Sequence, residues 1–209
     1  LESVTELLDE LRTNLQNNTV VDVAVCAPFV HLPLCREFLT ISGIHWGAQN
    51  VSEYGQGAYT GETSAAMLAE LDCRYVIVGH SERRALFAET DAVVVAKLKQ
   101  AISAGLTPIL CVGETLAERE GNIMEAVITR QLHAVLDALV PEQLASIVVA
   151  YEPVWAIGTG KTASPEQAQT VHAFIRGLWA ARQPAQAGEL IVLYGGSVKA
   201  DNARLLFAQ

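Results

Sequence analysis

Six short runs of apolar, largely β-branched residues recur along this chain, and each is followed by a segment with helical spacing. The runs are Val21–Ala27, Ile44–Asn50, Tyr75–His80, Thr107–Gly113, Ser146–Ala150 and Glu189–Tyr194. Strands that alternate with helices at this interval pair in parallel, because each helical crossover returns the chain to the same end of the sheet. The run Ser146–Ala150 is apolar and β-branched, which predicts a parallel strand buried on both faces. The intervening segments carry helix signals. One carries Leu32, Leu34, Phe38 and Leu39; 64–71, 92–104 and 123–139 follow; Ser164 and Pro165 open a helix that runs to about Ala181; 200–206 begins another. Leu1, Val4, Leu7, Leu8, Leu11 and Leu15 place the opening residues on one face of an amphipathic helix.

A closed barrel of eight βα units takes roughly 250 residues. A chain of 209 residues that opens and closes on helices therefore predicts a single (β/α)8 barrel domain, 1–209, without its first and last strands. At 51% hydrophobic the chain can bury one sizeable core. Its 14 basic side chains against 23 acidic ones give a net charge of -9, which excludes a nucleic-acid backbone or an anionic membrane as the main partner. No apolar run approaches the roughly 20 residues of a membrane span. Cys26, Cys35, Cys73 and Cys111 form neither a Cys-x-x-Cys pair nor a zinc spacing with the histidines, so free thiols in a reducing cytoplasm are expected, with no metal. There is no dinucleotide-binding glycine fingerprint, and no organic cofactor is expected.

Polar and glycine-rich groups recur where the strands finish: Gln49-Asn50, His80-Ser81-Glu82, Glu114, Glu152 and Gly195-Gly196-Ser197. In a parallel barrel those ends share the face on which active sites are built. Glu152 stands before Pro153, which forbids the strand to continue, and is followed by Val154, Trp155 and the glycine-punctuated Gly158-Thr159-Gly160. A carboxylate beneath an apolar, hinged cover reads as a general base desolvated when substrate binds. The plainer alternative is a loop charge beside a core tryptophan. His80, at the mouth of a helix, reads as a neutral imidazole able to polarise a carbonyl, or as a structural histidine. Gly196 and Ser197 let backbone N–H groups approach an anion. The loop Tyr54 to Thr63, rich in glycine and bearing Tyr54 and Tyr59, suits contact with a partner or is an ordinary surface excursion.

Tyr151-Glu152-Pro153-Val154-Trp155-Ala156-Ile157-Gly158-Thr159-Gly160-Lys161, together with Val78-Gly79-His80-Ser81-Glu82-Arg83-Arg84 and Tyr194-Gly195-Gly196-Ser197, resembles triosephosphate isomerase over essentially the whole chain. Gly47-Ala48-Gln49-Asn50 and Gly57-Ala58-Tyr59-Thr60-Gly61-Glu62 match the same family. The resemblance implies a glutamate base, a neutral histidine electrophile and a closing loop, roles for which this family is the standard illustration. It implies Glu152 and His80 as catalytic residues, and Gly158, Gly196 and Ser197 as phosphate binders through their amides. Glu82 and Cys111 fall on supporting positions; a helix-terminal acid paired with Arg84 and a small buried thiol are their alternatives. The substrates implied are dihydroxyacetone phosphate and glyceraldehyde 3-phosphate, in glycolysis and gluconeogenesis. Gly55–Glu62 would be the loop of a cytoplasmic homodimer.

The family's first strand brings an Asn and a Lys to the site and its last strand a Gly-Gly pair, and none of these matches a residue of the present 209. Lys161 falls at the far hinge of the lid and does not replace the lysine. With no methionine at its start, the chain is expected to be part of a longer enzyme. Two other readings stay open: another phosphate-binding barrel enzyme, such as an aldolase or a different sugar-phosphate isomerase, and a non-catalytic barrel fragment. A Schiff-base aldolase needs a lysine at an interior strand end, and the six runs carry none there.

Overall fold

Each apolar run forms a strand, and each strand is shorter than its run. In the computed structural model, which describes residues 2–15, 18, 20–157 and 162–208, they are β1 Ala24–Ala27, β2 His45–Ala48, β3 Tyr75–Val78, β4 Thr107–Val112, β5 Val148–Tyr151 and β6 Val192–Tyr194. Local turns consume the missing residues. The Asn18 side chain donates to the Val21 carbonyl at 2.7 Å and holds the approach to β1 in a turn, as short amide side chains do when they compete with extended backbone. Ser146 donates to Gln143 O at 2.8 Å and delays β5, and the N–H of Glu189 bonds Gln186 O at 3.0 Å and delays β6.

The helices are α1 Glu2–Leu15, α2 Leu32–Leu39, α3 Ala65–Glu70, α4 Ser81–Leu86, α5 Asp91–Ser103, α6 Leu116–Glu120, α7 Met124–Leu136, α8 Pro141–Leu144, α9 Pro165–Arg182 and α10 Ala203–Leu206. Ser164 caps α9 by accepting the N–H three residues on, as its position predicted, and Ser64, expected as the first helical residue, caps α3 in the same way. The long helix expected over 123–139 forms as one helix and is shorter than expected. It stops at Leu136, and Pro141 starts a separate turn. The short α6 was not anticipated, although Thr115 and Glu118 carry the capping-box spacing and form both of its hydrogen bonds.

In the sheet the strands follow chain order from β1 to β6. The chain divides into two compact units, Leu1–Val78 with Ala96–Ile109, and Gly79–Val95 with Leu110–Gln209. In the first, β1 and β2 pair in parallel from Ala24 opposite His45 to Ala27 opposite Ala48, and β2 pairs with β3 through Gly47 opposite Tyr75. Gly47 is required there, since a Cβ would lie 2.2 Å from the Tyr75 carbonyl oxygen. Leu8 of α1 is buried, as are Leu32, Cys35 and Leu39 of α2, against which α1 packs. In the second unit β5 pairs in parallel with β6 from Val149 opposite Val192 to Tyr151 opposite Tyr194. All four residues of β5 are buried, as a continuous apolar run predicts for an interior parallel strand. Helices α7 and α9 pack together, and Ile128, Leu132, Ile175 and Trp179 on them are buried, each worth about 2 to 3 kcal/mol when fully buried.

Candidate active site

Glu152 lies one residue beyond β5, and its side chain is only 4% exposed. Both carboxylate oxygens are held. Oε2 accepts the backbone N–H of Ser81 at 2.9 Å, and Oε1 faces His80 Nε2 at 2.9 Å and the Ser81 hydroxyl at 3.5 Å. His80 reaches this point because Gly79 turns the chain through φ +73°, a conformation that a residue with a side chain rarely adopts. His80 then serves as N-cap of α4, where Nδ1 accepts the N–H of Glu82 at 3.3 Å. An acceptor at Nδ1 leaves the ring proton on Nε2, aimed at Glu152 Oε1.

Two influences oppose each other at this ring. The hydrogen bond to Glu152 raises the pKa of His80 above its ordinary value, burial lowers it, and the charges of Glu152 and Glu82 add a further upward pull. Protonation at Nδ1 would turn an N–H toward the Glu82 N–H. The amide geometry therefore decides the tautomer of the neutral ring, which carries its proton on Nε2.

Behind the carboxylate stands a second buried acid. Glu114 is fully buried, and its Oε1 accepts from Arg119 Nη1 at 2.8 Å, the Tyr151 hydroxyl at 3.0 Å and Trp155 Nε1 at 2.8 Å. Arg119 also stacks 5.0 Å from the centre of the Trp155 ring. Burial, with the nearby Glu114 carboxylate, pushes the Tyr151 phenol well above its ordinary pKa, so it stays a donor. These contacts fix the start of the segment expected to be a lid: Val154–Ala156 forms a single 3-10 turn with Ala156 buried. At the other end of that segment, the N–H of Ala163 donates to the Tyr194 hydroxyl at 3.3 Å. Gly158 and Lys161, the predicted anion donor and hinge within the segment, lie outside the described residues.

Gly195 donates its N–H to Tyr151 O at 2.7 Å, and a Cβ on it would stand 3.0 Å from Glu152 Cγ. The glycine run thus begins against the carboxylate side chain. Beyond Gly196, Asn202 donates to Ser197 O at 3.2 Å and accepts from Lys199 N at 2.7 Å, a clip that shapes the turn. Cys111 is buried in β4, and its carbonyl receives Arg84 Nη2 at 3.4 Å. Glu82 does not pair with Arg84, as the plainer reading had it. Arg84 bonds Asp91 at 2.7 Å, while the Glu82 carboxylate is exposed and 3.9 Å from His80 Nδ1. The distance is set by helix direction: in so short a helix the Glu82 side chain leans back toward the N-cap.

The family model described as triosephosphate isomerase matches residues 1–209. The chain belongs to the triosephosphate isomerase family. A triosephosphate isomerase of Thiobacillus denitrificans is 60% identical over 203 residues, 97% of this chain and 81% of the relative. One from Cupriavidus taiwanensis is 59% identical over 186 residues, 89% of this chain and 75% of its own length. One from Ralstonia nicotianae is 56% identical over 202 residues, 97% of this chain and 81% of the relative. The parallel strands and alternating helices are those of a (β/α)8 barrel, six of whose strands are described, and the chain is of the isomerase class. No described helix is long and apolar enough to cross a membrane.

Triosephosphate isomerase motifs pointed to His80, Glu152 and Gly195-Gly196-Ser197, which all fall in one unit of the fold. They did not single out Ser81, whose part is played by a backbone amide, nor the dependence of Trp155 and Tyr151 on Glu114. A carboxylate at a strand end within reach of a downstream indole was the only signal available.

Proposed function

We propose that this chain interconverts dihydroxyacetone phosphate and D-glyceraldehyde 3-phosphate with Glu152 as the base and His80 as the electrophile. Glu152 takes the proton from the carbon beside the carbonyl, the electron pair moves into an enediolate, and the same carboxyl returns the proton to the neighbouring carbon. His80, with Nε2 protonated, donates to the carbonyl oxygen as negative charge develops there, gives that oxygen its proton, and takes one back from the hydroxyl on the neighbouring carbon, which becomes the new carbonyl. One observation carries this reading: a buried carboxylate and an imidazole, each just beyond a strand end, meet at 2.9 Å. At that distance nothing fits between them, so substrate must part the pair, and the Nε2–H then exchanges the carboxylate for the substrate oxygen as its acceptor.

Gly196 and Ser197 hold the phosphate through backbone N–H groups, joined by Gly158 from the lid segment. Glu82 supports the site through its amide on His80, and Cys111 by packing at the end of β4. The reaction belongs to glycolysis and gluconeogenesis in the cytoplasm, within a single barrel domain.

The chain also pairs with a second copy through Gly55–Glu62. Ser52 N and Thr63 O close the neck of this loop at 2.9 Å. Tyr54 and Tyr59 stack at 4.1 Å with 5° between their planes, yet are 43% and 41% exposed. A rigid exposed aromatic pair is a surface suited to burial against a partner; monomeric sedimentation at micromolar concentration would count against it. The catalytic assignment is tested by assaying glyceraldehyde 3-phosphate conversion in Glu152→Gln and His80→Ala, and wild-type rates in folded samples of both would refute it.

A further inference from the structure

Gln131 is a buried amide in α7, only 5% exposed, with no part in the chemistry above. Its Oε1 accepts the N–H of Gly113 at 2.9 Å, and its Nε2 donates to the carbonyl of the same residue at 3.1 Å. Backbone directions explain why those groups need a side chain. The Val112 and Glu114 carbonyls receive the N–H groups of Glu152 and Val154 at 2.8 and 3.2 Å. Along a strand successive residues direct their polar groups to opposite sides, so those of Gly113 point away from the Glu152 segment and meet Gln131. Half-buried peptide groups left there without a partner would be costly, and the backbone would shift to find one.

On its other side Gly113 touches the candidate base. A Cβ at this position would lie 1.8 Å from the Glu152 carbonyl oxygen and 3.1 Å from Glu152 Cβ. No side chain cushions the contact, so movement of Gly113 is passed directly to the backbone that carries the carboxylate. Gly113 is held between the Gln131 amide and Glu152.

We propose that Gln131 is a positioning residue for the isomerisation: by pairing with both polar groups of Gly113 it sets where the Glu152 carboxylate stands opposite His80. The inference rests on Glu152 being the base. A misplacement on the order of 1 Å can cost about 100-fold in rate without weakening substrate binding.

The test measures kcat and KM per folded molecule for Gln131→Met and Gln131→Glu, with Leu132→Ala from the same helix as a control that loosens the core without touching Gly113. Gln131→Met should lose about 10- to 100-fold in kcat with KM within about twofold, whereas Leu132→Ala should melt earlier and keep its kcat. In Gln131→Glu a protonated carboxyl supplies the same acceptor and donor as the amide, while the carboxylate turns an oxygen on the Gly113 carbonyl. Its kcat relative to wild type at the same pH should therefore rise as pH falls. A Gln131→Met kcat within about twofold of wild type, or a loss confined to KM, overturns the proposal. If Gln131→Met does not fold, a pH-independent ratio for Gln131→Glu overturns it alone. Glu152→Gln, assayed beside them, separates the two ideas: full activity there removes Glu152 as base, and its loss leaves the Gln131 result to be judged by itself.

Discussion

The two halves of the candidate site are built by different means. At the carbon end the working groups are side chains: a carboxylate and an imidazole, each oriented by a backbone N–H, with the carboxylate almost wholly withdrawn from water. At the phosphate end the candidates are backbone amides on a half-exposed glycine turn, shaped by the Asn202 clip. Proton transfer needs one group at one height, so the carbon end is packed and cross-braced. An anion is attracted by any set of convergent N–H dipoles, so the other end needs a backbone conformation and few particular side chains.

The largest break in this contrast is expected from Glu152→Gln, which keeps the shape and removes the base. Its kcat should fall by about 10³ to 10⁴, with KM little changed, in a steady-state assay. His80→Ala should cost about 10² to 10³ in kcat, the value of one preorganised donor to a developing oxyanion. Ser197→Ala should be far milder, because the amide survives the change: a KM increase of about threefold or less at constant kcat. A larger effect there, confined to KM, would show that the phosphate end uses a hydroxyl as well.

The smallest effect is a pH dependence. Glu152 raises the pKa of His80, and burial only partly opposes it. A raised pKa in the folded state adds stability that is complete below the ordinary imidazole value of about 6.5 and fades as pH rises through the raised one. The melting-temperature gap between wild type and His80→Ala should accordingly be wider near about pH 5.5 than near about pH 8.5. An unchanged gap would mean that the ring gains nothing from its carboxylate.

The fold and the meeting of Glu152 with His80 were legible for specific reasons. An apolar run such as Val148–Tyr151 reads as a buried parallel strand, and it is buried throughout. Glu152 before Pro153, and His80 behind Gly79, are residue types with strong local consequences. What stayed hidden were contacts between residues distant in sequence. Glu114 lies 37 and 41 residues from the Tyr151 and Trp155 groups that share its oxygen. Gln131 reads as one polar position on an otherwise apolar helix face, and only the end of β4 shows what it binds. Strand limits were overextended because Asn18, Ser146 and Gln186 divert backbone that apolar content alone would assign to the sheet.

The resting carboxylate of Glu152 leans on the N–H of Ser81. That donor belongs to the main chain, so no replacement at position 81 except proline removes it. A saturation screen of this codon would record the weak 3.5 Å hydroxyl contact and pass over the stronger grip. The support is encoded by the path of the chain, and selection on side chains can neither improve nor easily erode it.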